Sequence, residues 1–197
     1  MRDQFYADAN DVWKWTCVVK AAVPDKRILY VVMYRPDAPK SFRARFYPAD
    51  EISSRVAGFF DEEQPALNRD RRVARITRLD KRIELIDSEY RHEIREDYFA
   101  EVVRRLSRPR STSFVVLLDP DTGMESNHPG DKHVCCAQIR STWKHMNRGD
   151  VLLVYQECQI PAAFSGKQLK IEQAVGMSVR SLQHEALPRV RIFRADK

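Results

Sequence analysis

Three uninterrupted apolar runs constrain this chain most: "ILYVVMY" at 28–34, "SFVVLL" at 113–118 and "DVLLVYQ" at 150–156. A strand with one face in water alternates apolar and polar residues. A run that is apolar at both parities must be covered on both faces. The segments between these runs supply the cover. Val12, Trp15, Val19 and Ala22 recur at helical spacing across 10–23, with Asn10 or Asp8 placed to cap and Pro24-Asp25 to stop the helix. "EDYFAEVVRRL" (96–106) sets Phe99, Val102, Val103 and Leu106 on one helix face, and "HVCCAQIRSTWKHM" (133–146) does the same with Cys135, Ile139, Trp143 and Met146. "QLKIEQAVG" reads as a helix stopped by Gly176, and "SVRSLQH" and "RVRIFRA" as a terminal β pair around Pro188. Patterning is weak over 35–95, where a short helix is expected at 50–60 and strands at 73–77 and 82–87. The order of elements predicts an α/β three-layer sandwich with a mostly parallel sheet.

With 197 residues, one domain is expected, carrying an irregular Arg-rich insertion at about 60–95. The apolar runs are far too short to span a bilayer, and "MRDQFYADAND" is too polar for a secretory signal. The four cysteines lack CxxC spacing, so a reducing compartment and a cytoplasmic location are expected. Net charge is +6 and gathers in "NRDRRVARITRLDKR" (68–82), "VVRRLSRPR" (102–110) and "PRVRIFRADK". Such stretches suit a nucleic-acid partner, with Arg71 and Arg72 as contacts. A solvated, salt-bridged surface is the plainer reading, because acids are interleaved with most of them.

In sheets of this kind ligands bind beyond the carboxyl ends of the strands. Three such ends matter: Tyr34-Arg35-Pro36-Asp37, Asp119-Pro120-Asp121 and Tyr155-Gln156-Glu157. In "LLDPDTG" the proline ends the ladder where the Asp119 carboxylate emerges, and Gly123 permits a sharp turn. An Asp-Pro turn is also common without any function. In "FYADANDVWKW", Asp8, Asp11, Lys14 and Trp15 line one side of the first helical turn, where Asp8 as cap and an Asp11–Lys14 pair would explain them locally. Lys132 and His133 precede the fourth helix and are placed to face the same cleft. No GxGxxG, Walker, HExxH or GxSxG pattern occurs.

Two of these segments, 5–38 and 114–157, resemble the large-subunit ribosomal RNA adenine-N6 methyltransferases. "FYADANDVWKW", with Asp11 and Lys14, is similar to that family's opening helix, and "FVVLLDPDTG" to its acidic-proline motif. A set of uncharacterised bacterial and phage-type proteins with Asp-Pro-Asp-Asn/Thr-Gly and Tyr-Gln-His/Glu motifs is also similar. The first resemblance implies a Rossmann-like methyltransferase fold and S-adenosylmethionine as cofactor. Asp119, with Pro120 and Asp121, would form the catalytic motif. Asp8, Asp11, Lys14 and Asp37 would lie at the cofactor, and Tyr155, Gln156, Lys132 and His133 at the substrate. The family's Pro-aromatic pair is Asp121-Thr122 here, and "YRPDAPKS" has no glycine where the family has a glycine-rich turn. Two alternatives follow. Asp119, Asp121 and Glu157 could hold Mg²⁺ or Mn²⁺ in a nuclease or phosphohydrolase. The chain could also be a non-catalytic binding module on a degenerate methyltransferase fold.

Overall fold

The computed structural model describes residues 8–33, 48–63, 72–125 and 130–197. The three apolar runs lie side by side in a six-stranded sheet. Its strands in chain order are β1 (Arg27–Val31), β2 (Ile83–Ile86), β3 (Phe114–Leu118), β6 (Val151–Glu157), β7 (Arg180–Leu182) and β8 (Val190–Asp196). A separate two-stranded ribbon pairs β4 (Gly123–Met124) with β5 (His133–Val134). The main sheet runs β2-β1-β3-β6-β8-β7. The first four strands are parallel, and β8 reverses against β6 and β7.

Helices cover both faces, as strands buried on both sides require. The helices are α1 (Ala9–Ala21), α2 (Glu51–Glu63), α3 (Arg95–Leu106), α4 (Cys136–His145) and α5 (Ala163–Val175). Strand alternation sorts the core into two halves. Ile28, Tyr30, Val115, Leu117, Leu153 and Tyr155 pack with Trp15 and Val19 of α1 and Phe60 of α2. Leu29, Val31, Val116, Leu118 and Val154 pack with Phe99 of α3, Ile139 of α4 and Ile171 of α5.

The expected helices, the three main strands, the strand near 82–87 and the terminal β pair all occur. One expected strand does not. Residues 73–77 lie in a 3-10 helix, Arg72–Arg78. Ile76 is buried, and its carbonyl accepts from Leu79 N at 2.9 Å, an i to i+3 bond. A second difference concerns 133–146. The helix begins at Cys136, because His133 and Val134 pair with the DPDTG turn. Trp143 is only partly buried.

Candidate functional site

The chain passes from β1 to β2 on one side and then to β3 on the other, so the switch in strand order falls between β1 and β3. Asp119 is the first residue beyond β3, and its N–H donates to Val31 O of β1 at 3.0 Å. The DPDTG motif therefore sits at the position where open α/β sheets bind ligands. β1 ends in an unusual way. Met33, fully buried, has φ of 48°, a left-handed conformation uncommon for a residue with a side chain. Its N–H donates to Tyr98 Oη at 2.9 Å.

Asp119 shares parity with Val115 and Leu117, so its side chain faces α1. Lys14 Nζ lies 2.7 Å from Asp119 Oδ2 and 2.6 Å from Asp11 Oδ1. The Tyr30 hydroxyl donates to the same Asp119 oxygen at 2.5 Å. The Lys14 ammonium also lies 5.3 Å from the centre of the Tyr155 ring. Asp11, Lys14 and Asp119 are each 2% exposed or less. Burial pushes the Lys14 pKa down, but Asp11 and Asp119 outweigh it and hold the ammonium above its usual range. Burial, then Glu157 and Asp8, raise the Tyr155 phenol well above its ordinary value.

Asp8 caps α1 by accepting from Asp11 N at 2.8 Å. Burial, and then the Asp11 charge, push its carboxyl up to about 7. The local interactions expected of the first turn are thus present, but in a buried setting tied to β3.

Gln156 points to the other face. Its Oε1 accepts from Met124 N at 2.8 Å, and its Nε2 donates to Thr122 O at 2.9 Å. Gly123, at φ 102°, lies so close that a Cβ there would stand 2.4 Å from the Gln156 amide. Gln156 is thus a staple for the DPDTG turn. Thr122 N donates to Lys132 O at 3.1 Å, which fastens the turn to the β5 side.

Around this turn the remaining candidates separate. Asp121 is half-buried, and burial followed by the Asp121 charge raises the Glu157 pKa. Lys132 is exposed. His133 is half-buried, its Nδ1 has no hydrogen-bond partner among the described residues, and burial and then Lys167 lower its pKa. Pro120 is buried beside Asp119. Arg72 opens the 3-10 helix, while Asp37 and Arg71 lie outside the described residues. The structure brings Asp8, Asp11, Lys14, Asp119 and Tyr155 together. It sets Gln156 and His133 on the other side of the sheet edge. Among the described residues, no group of three or more His, Cys, Asp or Glu side chains is placed to hold a metal ion.

Tyr30 is the site residue that the sequence patterns did not single out. The signal for it was a tyrosine inside a run buried on both faces, where the hydroxyl must find a partner. No protein-family model, curated protein or solved structure matches this chain. Among the described residues, no helix is long and apolar enough to cross a membrane.

Proposed function

We propose that this chain is a nucleic-acid-directed protein on a methyltransferase-like α/β scaffold, with S-adenosylmethionine bound at the β1/β3 switch point. The observation that supports this reading is the position of Asp119-Pro120, at the carboxyl end of β3 and bonded to the end of β1. Asp119 takes a positioning role in it. Its Oδ2 accepts from both Lys14 and Tyr30, so hydrogen bonds to an exocyclic amine fall to the carbonyls of the 119–122 turn and to Asp121. Those acceptors would orient the amine lone pair toward the methyl sulfonium. Titration calorimetry with S-adenosylmethionine, followed by labelled-methyl transfer to RNA and DNA, tests this. Absence of binding at millimolar cofactor would end the reading.

The engagement of Asp119 also favours a second reading, the non-catalytic module, in which the edge binds its ligand and transfers nothing. Binding without transfer to any nucleic acid is its signature. The metal-dependent alternative rests on Asp121 and Glu157, whose mutual repulsion a divalent ion would relieve. A melting temperature unchanged by Mg²⁺ or Mn²⁺ counts against it.

A further inference from the structure

The parallel strands separate two edges of the sheet. The carboxyl edge holds the candidate site and mixes Asp121, Glu125, Asp131 and Glu157 with Lys132, Lys167 and Lys170, the last two donating to backbone carbonyls of Met124 and Glu125. The opposite edge is a row of turns leading into β2, β1, β3 and β6. Arg82 Nη1 donates to Ala22 O at 3.0 Å and to Pro24 O at 3.2 Å, joining the turn before β2 to the turn before β1. Lys26 Nζ donates to Gly149 O at 2.5 Å, joining the turn before β1 to the turn before β6. Arg110 pairs with Asp150, joining the segment before β3 to that same turn.

Along this row the carboxylates are mostly spent in pairs: Asp80 with Arg82, Glu84 with Arg27, and Asp150 with Arg110. Asp196, opposite Val151 at the start of β6, is taken up by Arg180 and Arg194, and among the described residues of these turns Asp25 is the exposed acid that no ion pair engages. Against it stand Lys26 and four exposed cations, Lys81, Arg108, Lys144 and Arg148. No ion pair engages the side chains of those four among the described residues. Four adjacent strands at about 4.8 Å spacing make the row about 14 Å wide. That spread suits several successive phosphates and is too wide for one small anion.

We infer that the turns preceding β2, β1, β3 and β6 form a contact surface for the phosphate backbone of nucleic acid, on the edge opposite the DPDTG site. The inference rests on the nucleic-acid half of the proposed function and is independent of its methyl-donor half. It moves the contact from the Arg71–Arg72 region to residues that are far apart in sequence. A plainer role exists for two of these cations. Arg108 and Lys144 lie at the carboxyl ends of α3 and α4, where positive charge complements the helix dipole. Lys81 and Arg148 have no such role.

The test is the triple variant Lys81→Glu/Arg108→Glu/Arg148→Glu, read by fluorescence anisotropy with a ~20-base-pair labelled duplex and a single strand of the same length. Each phosphate that is no longer neutralised should lower the log–log salt slope by about 0.9 on the duplex, so the slope should fall by about 2–3. Affinity at low salt should drop at least tenfold. Arg140→Glu, an exposed cation midway along α4 and outside this row, is the control and should stay within about twofold of the parent. The inference is overturned if the parent protein binds neither probe at low salt. It is also overturned if the triple variant keeps parental affinity, or if Arg140→Glu has the larger effect. A melting curve confirms that the triple variant folds, and Lys81→Ala/Arg148→Ala gives a milder form if it does not. S-adenosylmethionine calorimetry on the same proteins separates the two ideas. Absence of cofactor binding by the parent would remove the methyl-donor reading and leave the surface untouched.

Discussion

Replacing Lys14 with methionine keeps the length of the side chain and removes its charge. In the parent protein the ammonium touches Asp11 at 2.6 Å and Asp119 at 2.7 Å, with all three side chains at most 3% exposed. At an effective dielectric of about 20, each contact is worth about 6 kcal/mol of attraction. Desolvation of the three charges offsets most of that. Breaking a buried pair from one side typically costs about 3–5 kcal/mol, since the partner charge stays buried and uncompensated. Two carboxylates lose their cation here, so Lys14→Met should cost about 4–5 kcal/mol. That is a quarter or more of the stability of an ordinary domain, which is about 5–15 kcal/mol. Urea unfolding measures it, and Trp15 reports on the site directly. Trp15 is 1% exposed, and its ring meets that of Tyr30 edge-on at 4.8 Å. A double-mutant cycle with Asp119→Asn should give a coupling energy of about 1.5–3 kcal/mol. A loss below about 1 kcal/mol in Lys14→Met, or no coupling to Asp119, would refute the buried network.

Asp8 gives a pH signature. Its folded carboxyl titrates near 7, against an ordinary 3.8, so the folded state holds a proton that the unfolded chain releases. Its contribution to stability therefore falls as pH rises from about 4 to 7. Asp8→Asn keeps a capping oxygen and removes that loss, so the variant should gain about 2 kcal/mol over the parent at pH 8 and little at pH 4, allowing for partial solvent screening. Equal pH profiles by thermal melting would contradict this. Gly123→Ala should destabilise by about 2–4 kcal/mol, because the new methyl meets the Gln156 amide in a left-handed backbone position. Adding Gln156→Ala should recover only the steric part, and full recovery in urea titrations would show the backbone strain to be negligible. Asp150 is fully buried, accepts from Phe114 N and Asn147 N at 2.7 Å each, and pairs with Arg110. Asp150→Ala should cost about 3–5 kcal/mol by chemical denaturation, since three donors lose their acceptor together. A cost below about 1 kcal/mol would mean those donors find water instead.

The strands and helices were legible wherever burial imposes a period. Phe114–Leu118 and Val151–Glu157 are apolar at both parities because both faces are covered, and α1 and α3 bury the faces that their spacing marks. Within "RVARITR" only Ala74-Arg75-Ile76-Thr77 alternates, a stretch short enough to imitate a half-buried strand. Arg72, Arg75 and Arg78 recur every third residue, and Ile76 and the following Leu79 are also three apart, which suits the 3-10 helix found there. The pairing of Asp11 with Lys14 was readable from spacing. Its burial was not, because Asp119 lies 105 residues away and only the sheet brings it close. The role of Gln156 was hidden for a similar reason. Strand parity sets it opposite Tyr155, toward the turn and away from the ion pair. The basic residues were visible as linear clusters. Their gathering on one edge depends on which turns the topology brings together.

The position of β8 matters for how the protein is made. β8 lies between β6 and β7, yet it follows both of them in the chain. Until residues 190–196 leave the ribosome, β6 presents an open edge of six buried residues, Val151–Gln156, to whatever is nearby. An exposed apolar edge of that kind invites pairing with another chain. The nascent protein therefore passes through a stage in which its four parallel strands can pair but β6 is unsealed and β7 has no neighbour, until β8 arrives from the opposite direction.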